Sequence, residues 1–388
     1  MCGITGIISK NSNPSIKMVN ASLDKLTNRG PDDRGIWISK DEKIILGHTR
    51  LSIQDITNLA SQPMLSKCGK YIIIYNGEIY NLKEIKEKLP KEVKSSLSSS
   101  SDTEVLLNSL IHNGIEDTCK AIDGMFGFVF FKIIENKIYI ARDKFGEKPL
   151  YYSITKDSIL FASTVEALNI YSNQNQNLDK ESIAYYLRYG YIKSTDSIYK
   201  NIKQISTAEF IEIDTKSLNI LSKNKYWNIY TNQRGNNFKG NNSDFLFNVI
   251  EESVRNRLIG DVDVGCFLSG GFDSSLIGYF ASKLHKRKLK TFSIGFNEKE
   301  FDESENAREI SNFICSEHYE YKMGLTELLK YIPEIAQASD QPFADSSFIP
   351  TLALCKLSSE KVKVCLSGDG ADEIFGGYER YRRSLIFQ

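Results

Sequence analysis

Val262-Asp263-Val264-Gly265-Cys266-Phe267-Leu268 leads directly into Ser269-Gly270-Gly271-Phe272-Asp273-Ser274-Ser275. The first seven residues form an apolar run of strand length, and the next seven read as a glycine turn opening a helix from Asp273 to about Leu284. Backbone N–H groups at such a junction, uncrowded at Gly270 and Gly271, make an anion nest that the helix N-terminus reinforces. Ser269, Ser274 and Ser275 add hydroxyl donors. The loop contains neither Gly-Lys-[Ser/Thr] nor G-x-G-x-x-G, which argues against a Walker A loop and a dinucleotide fingerprint.

The flanking residues repeat this alternation. A helix is expected over Ser243–Leu258, then the strand Val262–Leu268, then strand Thr291–Phe296 and a helix near Glu303–Ile314. Strand His318–Tyr321, a helix from Thr326 and strand Val362–Leu366 follow. Alternating strands and helices predict an α/β domain with a parallel sheet. The basic run His285–Lys290 falls at the end of a predicted helix, where cations favour the dipole, so a nucleic-acid patch is disfavoured.

Upstream, Tyr226–Asn242 is rich in Asn, Gln, Gly and Lys and reads as an exposed connection. Before it lie strand-length runs: Ile44–Leu46, Tyr71–Tyr75, Phe126–Phe131, Lys137–Ala141 and Ile159–Ala162. Helical patterns at Leu82–Leu89 and Asp102–His112 intervene, which predicts α+β packing around stacked sheets. The Ser-rich stretch Ser95–Ser101 reads as a loop tip or a ragged edge strand.

The chain has 388 residues, which suits two domains. Lys+Arg and Asp+Glu are 49 each, and a net charge of zero argues against general nucleic-acid binding. A hydrophobic fraction of 41% excludes disorder. No apolar run approaches the roughly 18 residues of a membrane span, and the N-terminus does not resemble a signal peptide. Seven scattered cysteines without Cys-x-x-Cys disfavour disulfides and zinc. A soluble protein of the reducing cytoplasm is expected.

Cys2 follows the initiator Met. Removing Met1 would put a free α-amine and a thiol on one residue. An α-amine of pKa about 7.7–8.0 can take the thiol proton, so no distant His is required. Beyond it come Arg29-Gly30-Pro31-Asp32-Asp33, Gly47-His48-Thr49-Arg50-Leu51-Ser52-Ile53 and Asn76-Gly77-Glu78-Ile79-Tyr80-Asn81. Ser101-Asp102-Thr103-Glu104, Asp123-Gly124-Met125-Phe126-Gly127 and Ala141-Arg142-Asp143 with Gly146 and Lys148-Pro149-Leu150-Tyr151-Tyr152 complete the series.

In that order these motifs resemble the class II glutamine amidotransferases. The resemblance implies an N-terminal-nucleophile hydrolase fold of stacked antiparallel β-sheets flanked by helices, over residues 2–213. It implies that Cys2 attacks the glutamine side-chain carbonyl, with Asn76 and the Gly77 N–H as oxyanion donors. Arg50 would pair with the substrate α-carboxylate, and Glu78 and Asp102 would hold its α-ammonium. It also implies glycine turns at Gly30 and Gly77, where a side chain would crowd the ligand.

The second-half loop resembles the S-G-G-x-D-S loop of ATP pyrophosphatases, implying an ATP-pyrophosphatase domain over residues 241–388. The later stretch Leu366-Ser367-Gly368-Asp369-Gly370-Ala371-Asp372-Glu373, with Ile374-Phe375-Gly376-Gly377-Tyr378, is similar to asparagine synthetases. The resemblance implies ATP contacts at Leu268, Ser269, Gly270, Gly271, Asp273, Ser274, Ile294, Ser367 and Gly368. Asp273 and Asp372 would bind Mg²⁺, and Asp369 would assist adenylation. The two halves together imply glutamine-dependent asparagine synthesis from ATP and aspartate. The expected partners are these small molecules, without nucleic acid or membrane, and a homodimer is allowed for.

Three departures qualify the expectation. Several asparagine synthetases carry Glu where this chain has Asp369, which keeps another carboxylate, such as a sugar acid or a peptide, open as acceptor. The turn Ile205–Glu209, read as inter-domain, lacks the family's Pro-Gly, a change expected to matter little. The family continues beyond this point with a helical segment supplying a Lys, so a C-terminally incomplete synthetase half, or a glutaminase-only fragment, is the accompanying expectation.

Overall fold

Strict alternation along the strands builds the first half of the protein. Phe126, Phe128 and Phe130 enter one hydrophobic core, while Val129 and Phe131 enter another. Ile73 and Tyr75 likewise face the first core, and Ile72 and Ile74 the second. Successive side chains of a strand point to opposite faces. A strand apolar at consecutive positions must therefore be covered on both faces, which is why these runs are legible as strands.

The computed structural model describes residues 1–171, 177–230, 242–298, 300 and 302–386. They divide into two compact units, one holding the described residues to Tyr230 together with Ser339–Asp345, the other the remainder. The strands of the first are β1 (Gly3–Ser9), β2 (Asp33–Ile38), β3 (Ile44–Arg50), β4 (Met64–Leu65), β5 (Tyr71–Ile79) and β6 (Gly124–Lys132). They continue with β7 (Lys137–Arg142), β8 (Tyr151–Ile154), β9 (Ser158–Ala162), β10 (Lys203–Gln204), β11 (Glu209–Asp214) and β12 (Ile220–Lys225). Two six-stranded antiparallel sheets result, in the orders β10-β8-β9-β1-β3-β2 and β12-β11-β7-β6-β5-β4.

The space between the sheets is filled by Ile4, Ile8, Leu46, Ile72, Ile74, Val129, Phe131 and Phe161, among others. Helix Ile16–Asp24 and helix Val165–Asn169 cover the outer face of the first sheet through Val19, Leu23, Val165 and Leu168. Helix Asp102–His112 covers the second through Val105, Leu106 and Leu110. The layering is helix, sheet, sheet, helix, as expected of the N-terminal-nucleophile type.

Several local readings need correction. Ser95 and Ser96 end the helix Lys91–Ser96, and the serines that follow are an anchor rather than a ragged strand. The N–H groups of Ser98 and Ser99 donate to Glu104, that of Ser100 to Asp55, and Ser101 caps the helix at Asp102 by accepting from Thr103 N. The turn Ile205–Glu209 joins β10 to β11 inside the first unit, so it is not inter-domain. Ala208 there holds φ = +56°, a left-handed backbone that costs a non-glycine residue about 1 kcal/mol. The missing glycine therefore carries an energetic consequence. Tyr226, at the start of the expected connection, is buried and donates its hydroxyl to Arg142 O at 2.8 Å. Residues 231–241 of that connection lie outside the described residues.

The second unit carries β13 (Val264–Phe267), β14 (Lys290–Phe296), β15 (Glu317–Met323) and β16 (Val364–Leu366) as a parallel sheet in the order β15-β14-β13-β16. Helices Asn242–Arg257, Phe272–Leu284 and Ser304–Phe313 fall within two residues of expectation. The helix foreseen from Thr326 is two short ones, Leu325–Leu329 and Ile332–Ala338. None of the helices described is long and apolar enough to cross a membrane.

Ser339–Asp345 is distant in sequence from the unit it joins. Asp340 accepts from the N–H groups of Val165 and Glu166, the latter at 2.9 Å, and so caps helix Val165–Asn169 from outside. Gln341 accepts from Ile198 N at 2.8 Å and donates to the Tyr151 hydroxyl at 3.1 Å. Replacing Asp340 with Ala should destabilise the first unit by about 1–2 kcal/mol, the range for a lost helix cap. Chemical denaturation followed by far-UV circular dichroism measures it, and an unchanged midpoint would rule the capping role out.

Candidate functional site

The inter-sheet rows explain how the first unit assembles a site. Ile4 and Ile8 on β1, Leu46 on β3, and Ile72 and Ile74 on β5 point into the space between the sheets. By the two-residue period the same rows continue to Cys2, Arg50, and Asn76 with Glu78. All four line one cavity of ≈ 70 Å³, together with Gly77 and Asp102. The structure thus gathers every glutamine-site candidate at one end of the inter-sheet space.

Cys2 is fixed from both sides. Its Sγ accepts from Leu51 N at 3.4 Å, and its carbonyl accepts from Arg29 Nε at 3.2 Å. Burial pushes the thiol pKa up, an effect opposed by the Leu51 N–H and the neighbouring terminal amine. That amine, on Met1, is pulled down to about 5, chiefly by burial, with Arg29 and Lys148 adding to it. Met1 itself lines the cavity.

Arg50 is buried, and its guanidinium donates to the carbonyls of Thr57, at 2.9 Å, and Asp55. Among the described residues no carboxylate pairs with it, so its charge is oriented but not neutralised. The loop that orients it is tied down by Asp55, whose carboxylate accepts from Thr57 N, Thr57 Oγ1 and Ser100 N.

Two polar atoms facing this cavity have no partner although buried: Asn76 Nδ2 and Glu78 Oε1. Asn76 is 1% exposed and Glu78 8%. An unmet buried donor or acceptor costs about 1–3 kcal/mol, so such atoms mark where a ligand supplies the missing bond. Burial and then repulsion from Asp102 raise the Glu78 pKa to about 7, against the pull of Lys148. Burial raises that of Asp102 to about 6, although Tyr75 Oη at 3.0 Å and Ile79 N at 3.3 Å donate to it. A guanidinium facing a pair of carboxylates is complementary to a zwitterion.

The glycines act differently from expectation. Gly77 lies within β5 rather than in a turn, and a Cβ there would meet Met125 O at 2.3 Å and Phe126 Cα at 2.8 Å. At Gly30 it would meet Thr49 C at 2.3 Å. Both glycines make room for neighbouring backbone. His48 is a core residue: its Nε2 lies 3.1 Å from Tyr75 O, and burial depresses its pKa to about 4. Sequence reasoning left Lys148 without a role. It is buried in the cavity wall, and its place in the motif Lys148-Pro149-Leu150-Tyr151-Tyr152 was the signal that could have found it.

In the second unit a cavity of ≈ 470 Å³ opens at the carboxyl ends of β13, β14 and β16, the usual ligand position in a parallel sheet. Leu268, Ser269, Gly271, Asp273, Ser274, Ile294, Ser367, Gly368, Asp369 and Asp372 line it. Gly270 does not: with φ = +82° it packs against Asn306, whose Cβ would lie 2.6 Å from an added methyl. The loop holds itself open through Ser269 Oγ, 2.9 Å from Ser274 Oγ and accepting from Gly271 N at 3.2 Å. A Cβ on Gly368 would lie 3.1 Å from Ser274 N, so the two glycine loops pack together. Asp369 accepts from Ser367 Oγ at 2.9 Å. Among the described residues neither Asp273 nor Asp372 has an ion-pair partner, and two free carboxylates suit a hard divalent cation.

Replacing Gly77 with Ala should cost about 1–3 kcal/mol by forcing β5 from β6, and a thermal melt would detect it.

Comparison with known proteins identifies the families that the two parts of the chain match. Residues 1–227 match the glutamine amidotransferase domain family, and residues 246–388 match the asparagine synthase family. The putative glutamine-hydrolysing asparagine synthetase 2 of Methanocaldococcus jannaschii is 33% identical, over 97% of this chain and 76% of that protein. The glutamine-hydrolysing asparagine synthetases 1 and 3 of Bacillus subtilis are 34% and 31% identical, over 99% and 97% of this chain. The chain spans 60% and 63% of the length of those two relatives.

Proposed function

Because the chain belongs to the glutamine-hydrolysing asparagine synthetase family, we propose that it transfers the amide nitrogen of glutamine to a carboxylate activated by ATP, with aspartate as the acceptor. The observation that carries the first half of this reading is the pair of unpartnered buried atoms, Asn76 Nδ2 and Glu78 Oε1, in one cavity with Cys2 and Arg50.

Glutamine fits the charges of the cavity. Arg50 pairs with its α-carboxylate, Glu78 and Asp102 hold its α-ammonium, and its side-chain carbonyl lies toward Cys2. Once Met1 is removed, the α-amine of Cys2 takes the thiol proton, and sulfur attacks the carbonyl carbon. Asn76 Nδ2 and the Gly77 N–H then receive the oxyanion. Its collapse releases ammonia and leaves a thioester, which water hydrolyses to glutamate.

In the second unit, Ser269, Gly271 and Ser274 hold the phosphates of ATP, Leu268 and Ile294 bracket its base, and Ser367 and Gly368 close over it. Asp273 and Asp372 would hold Mg²⁺, which when bound offsets charge on the departing pyrophosphate. The acceptor carboxylate attacks the α-phosphorus and expels pyrophosphate, and ammonia then displaces AMP to give the amide. Asp369 favours a second reading of the acceptor. It is one methylene shorter than Glu and is held by Ser367, which suits a bulkier carboxylate such as a sugar acid or a peptide.

Two outcomes are expected of the first site. Cys2→Ala abolishes glutamine hydrolysis, while Asn76→Ala lowers kcat by about 10²–10³ with little change in KM. A rise in KM with kcat unchanged would instead make Asn76 a general binding group. KM for glutamine should also rise as pH falls through about 7 and then about 6, where Glu78 and Asp102 take up protons. Protonation removes the charges that hold the ammonium, so affinity is lost on the acid side. A flat KM between pH 5.5 and pH 8 would exclude these carboxylates as the ammonium site (about 6 and 7 being the titrations tested).

Incubating the chain with Mg-ATP, glutamine and either aspartate or another carboxylate, and assaying glutamate, pyrophosphate and the amide together, tests the whole reading. Pyrophosphate that depends on aspartate supports asparagine synthesis. Pyrophosphate that depends on another carboxylate assigns the second acceptor class, and none with any acceptor removes the synthetase reading.

A further inference from the structure

We propose that the end of the first unit opposite the Cys2 cavity binds a nucleoside phosphate, a polyanion carrying a flat apolar group. The rows that end in Cys2 and Asn76 at one side run out at the other into Lys10, just past Ile8, and Lys70, just before Ile72. Both lysines line a second cavity of ≈ 740 Å³ there, a size suited to a small organic ligand. It forms where the end of β1, the β2–β3 turn, the β4–β5 turn, the β6–β7 turn and the β11–β12 turn converge.

Its floor is the unclosed end of the inter-sheet core. Trp37 and Phe131 meet there edge to face with ring centroids 6.2 Å apart. Ile38, Leu65 and Ile134 stay 40%, 47% and 67% exposed. Its rim is basic: Lys10, Lys40, Lys43, Lys70 and Lys216 line the cavity against one acid, Asp41, five minus one leaving an excess of four positive charges. Asp41 is occupied, accepting from Ser39 Oγ at 2.5 Å and Lys43 N at 3.3 Å. Lys43 Nζ donates to Lys10 O at 2.8 Å. Among the described residues none of these five lysines pairs with a carboxylate. Like charges converging on one opening repel, and an anion relieves them. An aromatic floor under a ring of ammonium groups matches a base with its phosphates better than it matches a simple anion. Nothing in the amide chemistry uses these residues, so the site stands apart from that reading.

The chain has two tryptophans, and replacing Trp227 with Phe leaves Trp37 as the fluorescent reporter. Titrating this variant with ATP should change Trp37 emission saturably, and salt should weaken the response as ammonium–phosphate contacts are screened. Adding Lys40→Glu and Lys70→Glu, both at exposed turns, should weaken the apparent affinity at least about tenfold, with circular dichroism confirming the fold. A response that survives the charge reversals comes from elsewhere and overturns the proposal, as does the absence of any saturable response. Inorganic tripolyphosphate binding as tightly as ATP removes the role of the flat group. An acidic peptide that saturates the signal where ATP does not reassigns the face to a protein partner and also overturns it.

Discussion

The pairing of β5 with β6 carries the first site. Nine residue pairs, from Tyr71 opposite Lys132 to Ile79 opposite Gly124, lock the two strands in register. Each strand is buried on both faces, and a slip of one residue would exchange its two sets of side chains between the cores. Ile73 and Tyr75 would leave the helix-covered core for the inter-sheet space, and Asn76 and Glu78 would change places with Gly77 across the sheet. Gly77 tightens this further by letting β5 approach Met125 O. The chemistry-bearing residues are therefore positioned by the same packing that makes the domain stable.

That positioning costs stability. Glu78 and Asp102 share a desolvated cavity, and both carboxyls hold their protons to higher pH than in the unfolded chain, to about 7 and about 6. The folded form binds more protons between the ordinary carboxylate range and those values. Stability is therefore full below the unfolded pKa values and declines as pH rises through about 6 and 7. At neutral pH the site holds the Asp102 carboxylate beside a Glu78 carboxyl that is about half ionised, with a guanidinium that has only carbonyl partners among the described residues. A zwitterionic ligand satisfies both ends at once, and binding energy replaces what folding gave up.

Much of this was legible from the sequence, for identifiable reasons. Runs such as Phe126–Phe131 and Tyr71–Tyr75 announce doubly covered strands because they are apolar at every position. Asp102–His112 was read to its true ends, and Ser101 caps it. By contrast β1, with Gly3, Thr5, Gly6 and Ser9, and β12, with Ser222, Lys223 and Asn224, lack that signal; they are held by register with β3 and β9, and with β11. The candidate residues were found through motifs, and the structure gathers all of them but Gly270 around two cavities. What the motifs could not convey is why a glycine is present. Gly77 and Gly270 look alike in sequence, yet one admits a neighbouring strand and the other takes a left-handed turn against Asn306. Asp340 escaped because its partner is distant: it caps a helix 175 residues away in sequence. Lys148 stood in a motif, but a motif does not tell which of its residues reaches the cavity.

On the proposed function the two cavities face opposite electrostatic problems. A small zwitterion offers one charge of each sign, so recognition requires desolvated, fixed partners that discriminate by position, and the first cavity is correspondingly narrow and buried. A nucleotide offers several like charges, and no small set of buried cations could neutralise them without a large desolvation cost. On the proposed function the second unit would meet such a ligand instead with backbone N–H groups at a helix start and with serine hydroxyls, which carry no net charge to desolvate. Its carboxylates Asp273 and Asp372 would repel phosphate on their own. Both stand in the first turn of a helix, where acids are favourable in themselves, and on the proposed function a divalent cation would let them face phosphate without repulsion.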